Sequence, residues 1–427
     1  MSNIFAEEAN KFERLGLRTM PFFETPVGDD KALSNIFTGR DQELRQVARL
    51  LLGPERRRIL VYGRIGIGKS AFLIKLLSEL KDFRKNMLVV RTSLEEDDLA
   101  KTALIALSNV MPNDELARRQ LYSLGINPAK PFKKKKSEGG AKAVVVGTMS
   151  EEDVYIPELK NPTANFDILL KHAQEKYKEG VLIAIDDLDK KEPKRVRELM
   201  HSAQGLLKGA ASFILTAHPT GITGDLLTTE RGLFDLRLKL EELEPDTIYQ
   251  MLIRYLNSVR IDNTCTDPDN PASVLPFLPE TAQRFCDESR GRPRLFNRLG
   301  ITVLNKALEL GAEQITPDIL EAGIQAAYAN FRERAALEMQ TQKVLSLLER
   351  KGSLSDETIT LDDLESLNFS SFSELVPYLE LLEDLDLAYR RDREDATEYE
   401  SLLLPDSWPD NLPGDMDSSL PTGDGAS

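Results

Sequence analysis

Cysteine and histidine are scarce in this chain of 427 residues, which has two cysteines and three histidines. Two cysteines are too few for a disulfide scaffold, and His172, His201 and His218 lack the spacing of metal ligands. No apolar run approaches the roughly 18 residues that a membrane-spanning helix needs. The first residues also lack the basic and apolar stretches of a secretory signal. We therefore expect a cytoplasmic protein with no membrane partner.

Net positive charge is absent as well. The chain has 55 Lys and Arg against 70 Asp and Glu, a formal net charge of −15. This excludes a protein that is basic over its whole surface, but not one with a local basic face. Residues 1–330 contain 47 basic and 47 acidic side chains, whereas residues 331–427 contain 8 and 23. The asymmetry predicts two regions with different partners.

Short apolar runs alternate with amphipathic helical patterns in the first 240 residues. Strands are predicted at 58–62, 87–91, 181–185 and 212–216, and helical periodicity separates them. Strands that are apolar throughout are typical of a parallel sheet covered on both faces. The fold class predicted is therefore α/β, with helices on both faces of the sheet.

Helical patterns replace the strands beyond residue 241. They lie at 245–258, 279–289, 293–310 and 316–331 and predict a helical lid. Three further helices and a β-hairpin then outline a winged helix. The predicted units are an irregular N-terminal segment (1–35), the α/β core (36–240, with an insertion at about 112–164), the α-helical lid (241–331), an acidic winged-helix-like domain (332–404) and a disordered acidic tail (405–427).

Residues 63–70, Gly-Arg-Ile-Gly-Ile-Gly-Lys-Ser, match the phosphate-loop (P-loop) pattern G-x-x-x-x-G-K-[ST] between a predicted strand and a predicted helix. Such a loop turns its backbone N–H groups inward, and the following helix adds partial positive charge. Lys69 is expected to reach the β- and γ-phosphates of ATP, and the Ser70 hydroxyl to bind Mg²⁺. The residues expected around the nucleotide are Gly63, Arg64, Ile65, Gly66, Ile67, Gly68, Lys69, Ser70 and Ala71.

Another predicted strand ends in two acids, Asp186 and Asp187. A P-loop needs a carboxylate at the end of a neighbouring strand to hold Mg²⁺. Asp186 is the expected magnesium ligand, and Asp187 is the candidate base that orients the attacking water. The alternative is an ordinary strand followed by a polar turn, but the P-loop favours the metal site.

Two further residues are candidates for contact with the γ-phosphate. Thr216 ends a predicted strand and either contacts the γ-phosphate or the attacking water, with His218 as the less favoured substitute, or merely caps its strand. Arg294 follows Gly291 at the start of a predicted helix and either folds back onto the phosphates or is solvated.

The order of these motifs resembles the AAA+ ATPases, most closely their origin-recognition-initiator and transposition-regulator branches. Residues 37–44, Phe-Thr-Gly-Arg-Asp-Gln-Glu-Leu, resemble the F-x-G-R-x-x-E-L box that precedes the P-loop in this group. The resemblance implies that Ile36 and Phe37 lie against adenine. It also implies that Arg231 is an arginine finger, which would reach the nucleotide of a neighbouring subunit in a homo-oligomer. A surface arginine is the alternative for Arg231.

Asp187 departs from the pattern of this family, because AAA+ enzymes usually have glutamate as the second acid. Aspartate is one methylene shorter, so water activation is expected either to be slower or to use a shifted geometry. The Asp-Asp pair is also common in the signal-transducing STAND ATPases, which often act as slow switches. The sequence therefore predicts an ATPase with slow turnover.

Two hypotheses for the partners stay open. Basic clusters at 56–58, 81–85 and 133–136 favour ATP-dependent assembly on DNA through the core, unless these charges are only solvated. The predicted helix at 371–384 has four acidic residues and no lysine or arginine, so it would repel a duplex. We therefore expect the acidic C-terminal domain to bind protein partners or to pack on its own ATPase core, as in a signalling switch without nucleic acid.

Overall fold

A five-stranded sheet forms the centre of the first 240 residues in the computed structural model, which describes residues 3–24, 33, 36–94, 97–126, 161–188, 193–219, 232–262, 265–335, 337–392 and 397–402. The order of the strands across the sheet is β2-β3-β4-β1-β5, and every pairing is parallel. The strand that carries Thr216 is thus inserted between the strand of the P-loop and the strand of the acidic pair. The five strands are β1 (Arg58–Tyr62), β2 (Leu88–Ser93), β3 (Val181–Asp186), β4 (Ser212–Ala217) and β5 (Leu236–Lys239).

Helices cover both faces of this sheet because each strand alternates its apolar side chains between the faces. In β3, Ile183 and Ile185 belong to one apolar cluster, whereas Leu182 and Ala184 belong to another. The α/β fold predicted from the sequence is confirmed. A first helix, α1 (Ile4–Arg14), precedes the sheet; α2 (Asp41–Leu51) and α3 (Lys69–Phe83) cover one face; α4 (Leu99–Asn109), α6 (Pro162–Lys176), α7 (Pro193–Ser202) and α8 (Gln204–Leu207) cover the other, with α5 (Glu115–Ser123) beside α4.

Four long helices follow the sheet, and we call residues 245–334 the lid. Each begins with proline, whose missing N–H is not needed in the first turn of a helix. Their buried faces meet in an apolar cluster that includes Phe285 and Phe296 and that also receives Phe22 from the N-terminal segment. The lid consists of α9 (Pro245–Val259), a 3₁₀ turn (Pro271–Val274), α10 (Pro279–Glu288), α11 (Pro293–Leu310) and α12 (Pro317–Arg334).

Residues 339–402 form a small unit that we call the C-terminal module. It has three helices and a three-stranded antiparallel sheet in the order β6-β8-β7. Its buried residues, such as Leu379 and Tyr399, belong to the same apolar cluster as the core of the lid. Its elements are α13 (Met339–Lys351), β6 (Ser353–Ser355), α14 (Leu361–Ser366), α15 (Phe372–Asp384), β7 (Ala388–Asp392) and β8 (Thr397–Ser401).

Two elements were not expected from the sequence. Residues 1–35 were predicted to be irregular, but α1 lies within them, because Asn3 caps it and the chain-breaking Pro21, Pro26 and Gly28 all come after it. The strand β5 was also missed. It has four residues and a single buried side chain, Leu238, so its pattern is too short to recognise.

Some sequence predictions fall outside the described residues. These include Arg231, most of the insertion at 112–164 with its basic run at 133–136, and the tail at 405–427. Among the described helices, none is both long and apolar enough to cross a membrane.

Candidate nucleotide-binding site

The carboxyl edge of the sheet brings the predicted site residues together. Val61 of β1 pairs with Thr216 of β4, and the backbone N–H of Gly63 donates to the carbonyl of Ala217 at 3.2 Å. The strand β3 pairs with the other side of β4 and ends at Asp186. The P-loop, Thr216 and the acidic pair therefore meet at one edge, where ligands of open parallel sheets bind.

The P-loop has the backbone geometry of an anion site. Gly66 and Gly68 have φ angles of +81° and +94°, which a residue with a Cβ atom rarely adopts. Gly68 is the N-cap of α3, and none of the described side chains caps this helix end with a hydrogen bond. The N–H groups of the first turn, with the helix dipole behind them, are thus available to a phosphate.

Lys69 lies beneath the loop rather than in solvent. It is the first residue of α3 and is 6% exposed. Its Nζ donates to the carbonyl of Gly63 at 2.8 Å and to that of Arg64 at 3.0 Å. These two bonds hold the ammonium group against the loop at the place where a bound phosphate would need it. Ser70, the next residue, lies half-buried in the first turn of α3.

Thr216 ties the acidic pair together. Its buried hydroxyl donates to Oδ1 of Asp186 and accepts the backbone N–H of Asp187 at 3.1 Å. The same N–H lies 3.1 Å from Oδ1 of Asp186, and Asp187 has a φ of +67°. A left-handed conformation at a non-glycine residue is costly and must be held by its surroundings. The hydrogen bonds of Thr216 therefore fix the direction in which the chain turns at the acidic pair.

The donor set fits Mg²⁺ rather than a metal held by protein alone. Asp186 is buried and, with the Ser70 hydroxyl, offers only oxygen ligands. In the part of the chain that the structure describes, no group of three or more His, Cys, Asp or Glu residues could hold a metal ion. Mg²⁺ is usually bound through one or two carboxylates together with substrate phosphates and water, so these residues suit a magnesium–nucleotide complex.

The lid contacts the P-loop directly through the start of α11. The backbone N–H of Arg294 donates to the carbonyl of Gly66 at 3.1 Å, and Pro293 packs over Gly68. The side chain of Arg294 is exposed beside the loop. The backbone of this arginine thus lies next to the P-loop, and the contact of its side chain with the phosphates stays a prediction.

The segment before the P-loop lies between the sheet and the lid. Ile36 is buried in the apolar cluster of the lid, which also contains Ile74 and receives Ala71 of α3. Phe37 packs against the other cluster, on the sheet face covered by α3, and borders a groove of about 640 Å³. These residues lie near the P-loop helix, but in different cores.

The sequence did not single out the contacts between the P-loop and the C-terminal module. Arg64 Nη1 lies 3.0 Å from Glu383 of α15 and donates to the carbonyl of Arg390 at 3.2 Å. The buried Arg292, two residues before Arg294, also pairs with Glu383, at 2.6 Å. The expectation that the acidic domain packs on its own ATPase core is confirmed by these contacts. The available signals were the excess of acid in α15 and the two arginines of residues 291–294.

The basic clusters are partly neutralised within the chain. Arg57 pairs with Glu55, and Arg58 forms a two-point ion pair with Asp235. The other cluster at 81–85 contains an ion pair between Lys85 and Asp82. These clusters therefore offer fewer unpaired charges than their sequence suggests.

Residues 37–219 match the family model of an ATPase domain found predominantly in Archaea. The P-loop and the strands β1 to β4 lie within this region. A comparison with curated protein sequences gives no match.

Solved structures similar to this chain include an Orc1 protein of Aeropyrum pernix in complex with DNA, at 12% identity and a TM-score of 0.49, covering 88% of this chain and 92% of that one. Cdc6p from Pyrobaculum aerophilum is 15% identical with a TM-score of 0.44, covering 89% and 96%. The RuvB Holliday junction branch migration motor of Thermotoga maritima is 15% identical with a TM-score of 0.41, covering 86% and 92%. Similarities this low do not indicate what this chain binds.

Proposed function

We propose that this chain is a Mg²⁺-dependent AAA+ ATPase that binds ATP at the P-loop and hydrolyses it slowly. One observation carries the proposal: the P-loop, the buried carboxylate of Asp186 and the hydroxyl of Thr216 meet at the carboxyl edge of one parallel sheet. A P-loop and a carboxylate that supports Mg²⁺ have to lie side by side to bind a triphosphate, and Thr216 positions that carboxylate.

Each residue at this edge has a role in the proposal. Lys69 and the N–H groups of the P-loop bind the β- and γ-phosphates, and Ser70 and Asp186 hold Mg²⁺. Mg²⁺ neutralises the charge that develops on the phosphate oxygens. The lid supplies Arg294 as a second cation near the γ-phosphate, and Ile36 and Phe37 approach the adenine.

Asp187 is the proposed base that orients the attacking water. Its backbone is fixed by Thr216 and Asp186, so its side chain has a defined starting direction. Because aspartate is shorter than the usual glutamate, the carboxylate sits farther from the γ-phosphate. We therefore expect slow turnover, which suits a switch better than a motor.

The test is a titration of the whole protein with a fluorescent ATP analogue in the presence of Mg²⁺. Lys69→Ala should abolish binding, because the charge held beneath the loop is lost. Lys81→Ala is the matched control, since Lys81 is an exposed lysine of the same helix. Normal nucleotide affinity in Lys69→Ala, or no binding by the wild-type protein, would contradict the proposal.

Assembly is the less direct part of the proposal. Arg231, the expected arginine finger, would act in a neighbouring subunit, so its use requires a homo-oligomer. Light scattering with and without nucleotide tests this, together with Arg231→Ala. A strictly monomeric protein that hydrolyses ATP would contradict the assignment of Arg231.

A signalling switch that works through protein partners is the second candidate, and one observation favours it. The acidic end of α15 lies against the P-loop and the lid through Glu383. A helix used in this way is not positioned to enter a DNA groove. The alternative, assembly on DNA through the basic side chains of the core, predicts nucleotide-dependent binding of a labelled duplex that weakens steeply with salt. If the duplex does not bind even at low salt, assembly on DNA is excluded and the signalling switch is the remaining candidate.

A further inference from the structure

The end of α15 concentrates negative charge in a buried place. Glu380, Glu383 and Asp384 lie in its last two turns, and Asp386 follows the helix. Glu383 and Asp386 are 6% and 3% exposed. Carboxylates are almost never buried this deeply unless they are paired with cations.

The cations that pair with these carboxylates belong to the proposed nucleotide site and its lid. Glu383 Oε1 lies 2.6 Å from Nη2 of Arg292 and 3.0 Å from Nη1 of Arg64. Asp386 lies 2.6 Å from Nη1 of Arg298 in α11. Arg64 is part of the P-loop, and Arg292 precedes the lid residues that touch it. The acidic cluster thus binds both segments between which a triphosphate would have to fit.

Asp384 approaches the site from the same side. Its Oδ1 lies 3.8 Å from Nε2 of His218, just beyond β4. Lys69 is close enough for its charge to lower the pKa of the Asp384 carboxyl, although burial and Glu383 outweigh it and raise that pKa to about 7. The Asp384 carboxyl therefore lies within electrostatic range of the lysine that the proposed function assigns to the β- and γ-phosphates.

The guanidinium group of Arg292 is not fully hydrogen-bonded within this acidic cluster. Among the described residues, Nε and Nη1 of the buried Arg292 have no hydrogen-bond partner, and Nη1 has only an ion pair at 3.6 Å with Oδ1 of Asp386. Arg292 and Arg290 also stack on the ring of Tyr389 of β7, at 5.7 and 4.8 Å from its centroid. A buried guanidinium whose donors are only partly hydrogen-bonded is a poor match for carboxylates alone, and a phosphate with more acceptor oxygens would satisfy it better.

We infer that the acidic end of α15 is an internal competitor of the nucleotide: Glu383 and Asp384 hold this end of the helix on the P-loop, and bound ATP displaces it from the loop, while the apolar core that the module shares with the lid keeps those two parts together. The inference rests on the proposed function and adds its regulation. Glu383 is paired with a P-loop arginine and Asp384 lies near Lys69, so a phosphate bound at the loop would bring negative charge close to both carboxylates, and like charges repel at close range. The module and the triphosphate therefore exclude each other.

Competition of this kind lowers the apparent affinity for nucleotide. Only the fraction of molecules with the module displaced can bind, so the measured dissociation constant is the intrinsic one divided by that fraction. Weakening the contact raises the fraction and tightens binding without changing any P-loop residue. A cluster that only stabilises the fold would not have this effect.

The first test compares nucleotide affinity in full-length variants, using a fluorescent ATP analogue with Mg²⁺. Asp384→Asn should bind about tenfold more tightly than the wild type, within the usual range of coupling between two sites. Glu365→Gln is the matched control, because Glu365 is an exposed acid of the same module, and it should leave the affinity unchanged. Glu383→Gln provides a second variant with the same expected direction, and urea unfolding shows whether each variant is folded.

The outcomes separate the inference from the proposed function. If the wild type binds nucleotide and both Asp384→Asn and Glu383→Gln bind it equally well, the competition is wrong and the ATPase assignment stands. If none of the proteins binds nucleotide, both are wrong. Tighter binding by the two variants but not by Glu365→Gln supports the inference.

The second test measures displacement of the module. Donor and acceptor dyes are placed through Lys81→Cys in α3 and Glu365→Cys in α14, with Cys265→Ser to remove the accessible thiol. Cys286 is buried, and burial raises the pKa of its thiol, so it resists labelling. Energy transfer should fall when a non-hydrolysable ATP analogue and Mg²⁺ are added, and should stay constant in the same background with Lys69→Ala. Unchanged transfer at saturating nucleotide would overturn the inference.

Discussion

Arg294 donates its backbone N–H to the carbonyl of Gly66 at 3.1 Å, so the first turn of α11 rests on the middle of the P-loop. A Cβ atom at Gly66 would lie 2.8 Å from the Cβ of Arg294. The conformation of the loop and the position of the lid are therefore coupled at this contact. A change at Gly66 must disturb both.

Gly66→Ala tests this coupling. The added methyl group meets both a φ of +81° and the side chain of Arg294, so we expect a loss of about 1–3 kcal/mol in the free energy of unfolding and weaker nucleotide binding. Urea unfolding and an ATP titration measure the two effects. Gly205→Ala is the control, because a Cβ atom there meets nothing within 4 Å and alanine favours a helix. Wild-type affinity in Gly66→Ala would show that the loop tolerates the shift.

Asp187→Asn separates binding from hydrolysis. The amide keeps the size of the side chain but cannot accept a proton, so ATP should still bind while turnover falls about 100-fold or more. Steady-state phosphate release and an ATP titration on the same protein give the two quantities. Hydrolysis at the wild-type rate would show that Asp187 is not the base.

Thr216→Val removes a hydroxyl from the acidic pair while keeping its volume. The N–H of Asp187 then loses one of its two acceptors, and a buried polar group that loses its partner costs about 1–3 kcal/mol. We expect lower stability and slower turnover, because the turn at Asp187 is less firmly held. Thr216→Ser restores the hydroxyl and should recover most of the activity. Equal turnover in the valine and serine variants would rule out this role.

The stability of the protein should fall as Asp384 ionises. Its pKa is raised to about 7 in the folded state, first by burial and then by Glu383, against about 3.9 in an unfolded chain. Between these values the folded state holds more protons than the unfolded state, so the free energy of unfolding decreases as the pH rises. The other charged groups that shift this pKa are Glu380, Arg292 and Lys69, and His218 lies beside the carboxyl.

Urea unfolding of the wild type and Asp384→Asn at about pH 5 and pH 8 measures this effect. Asp384→Asn should gain stability over the wild type toward pH 8, by on the order of 2 kcal/mol. Glu365→Gln, which changes the net charge equally, should show no such trend. A difference between Asp384→Asn and wild type that does not vary with pH would contradict the ionisation of Asp384 in this range.

The sheet and most of the site could be predicted because their signals are local. The P-loop is eight consecutive residues with fixed spacing, and the buried strand before Asp186 is apolar throughout. Parallel strands end at the same edge, so two local motifs were enough to expect one site. The hydrogen bonds between the Thr216 hydroxyl and the acidic pair were not predicted. They exist because β4 lies between β1 and β3, and the strand order is not evident from the local sequence.

The contacts of the C-terminal module could not be predicted in the same way. The pairing of Glu383 with Arg64 and Arg292 joins residues that are far apart in the chain, and nothing in their local sequence specifies the partner. The acidic composition of α15 argued against a DNA-reading helix and favoured packing on the core. It did not indicate which arginines would form ion pairs with these carboxylates.

One apolar cluster runs unbroken from the lid into the C-terminal module, so these two parts share a single packed interior. Packed interiors deform little and transmit strain. We therefore expect a shift of α11 at the P-loop to move the C-terminal module as well. A partner bound to the far side of the module would then respond to the bound nucleotide without contacting it, and its binding would in turn change the affinity for nucleotide.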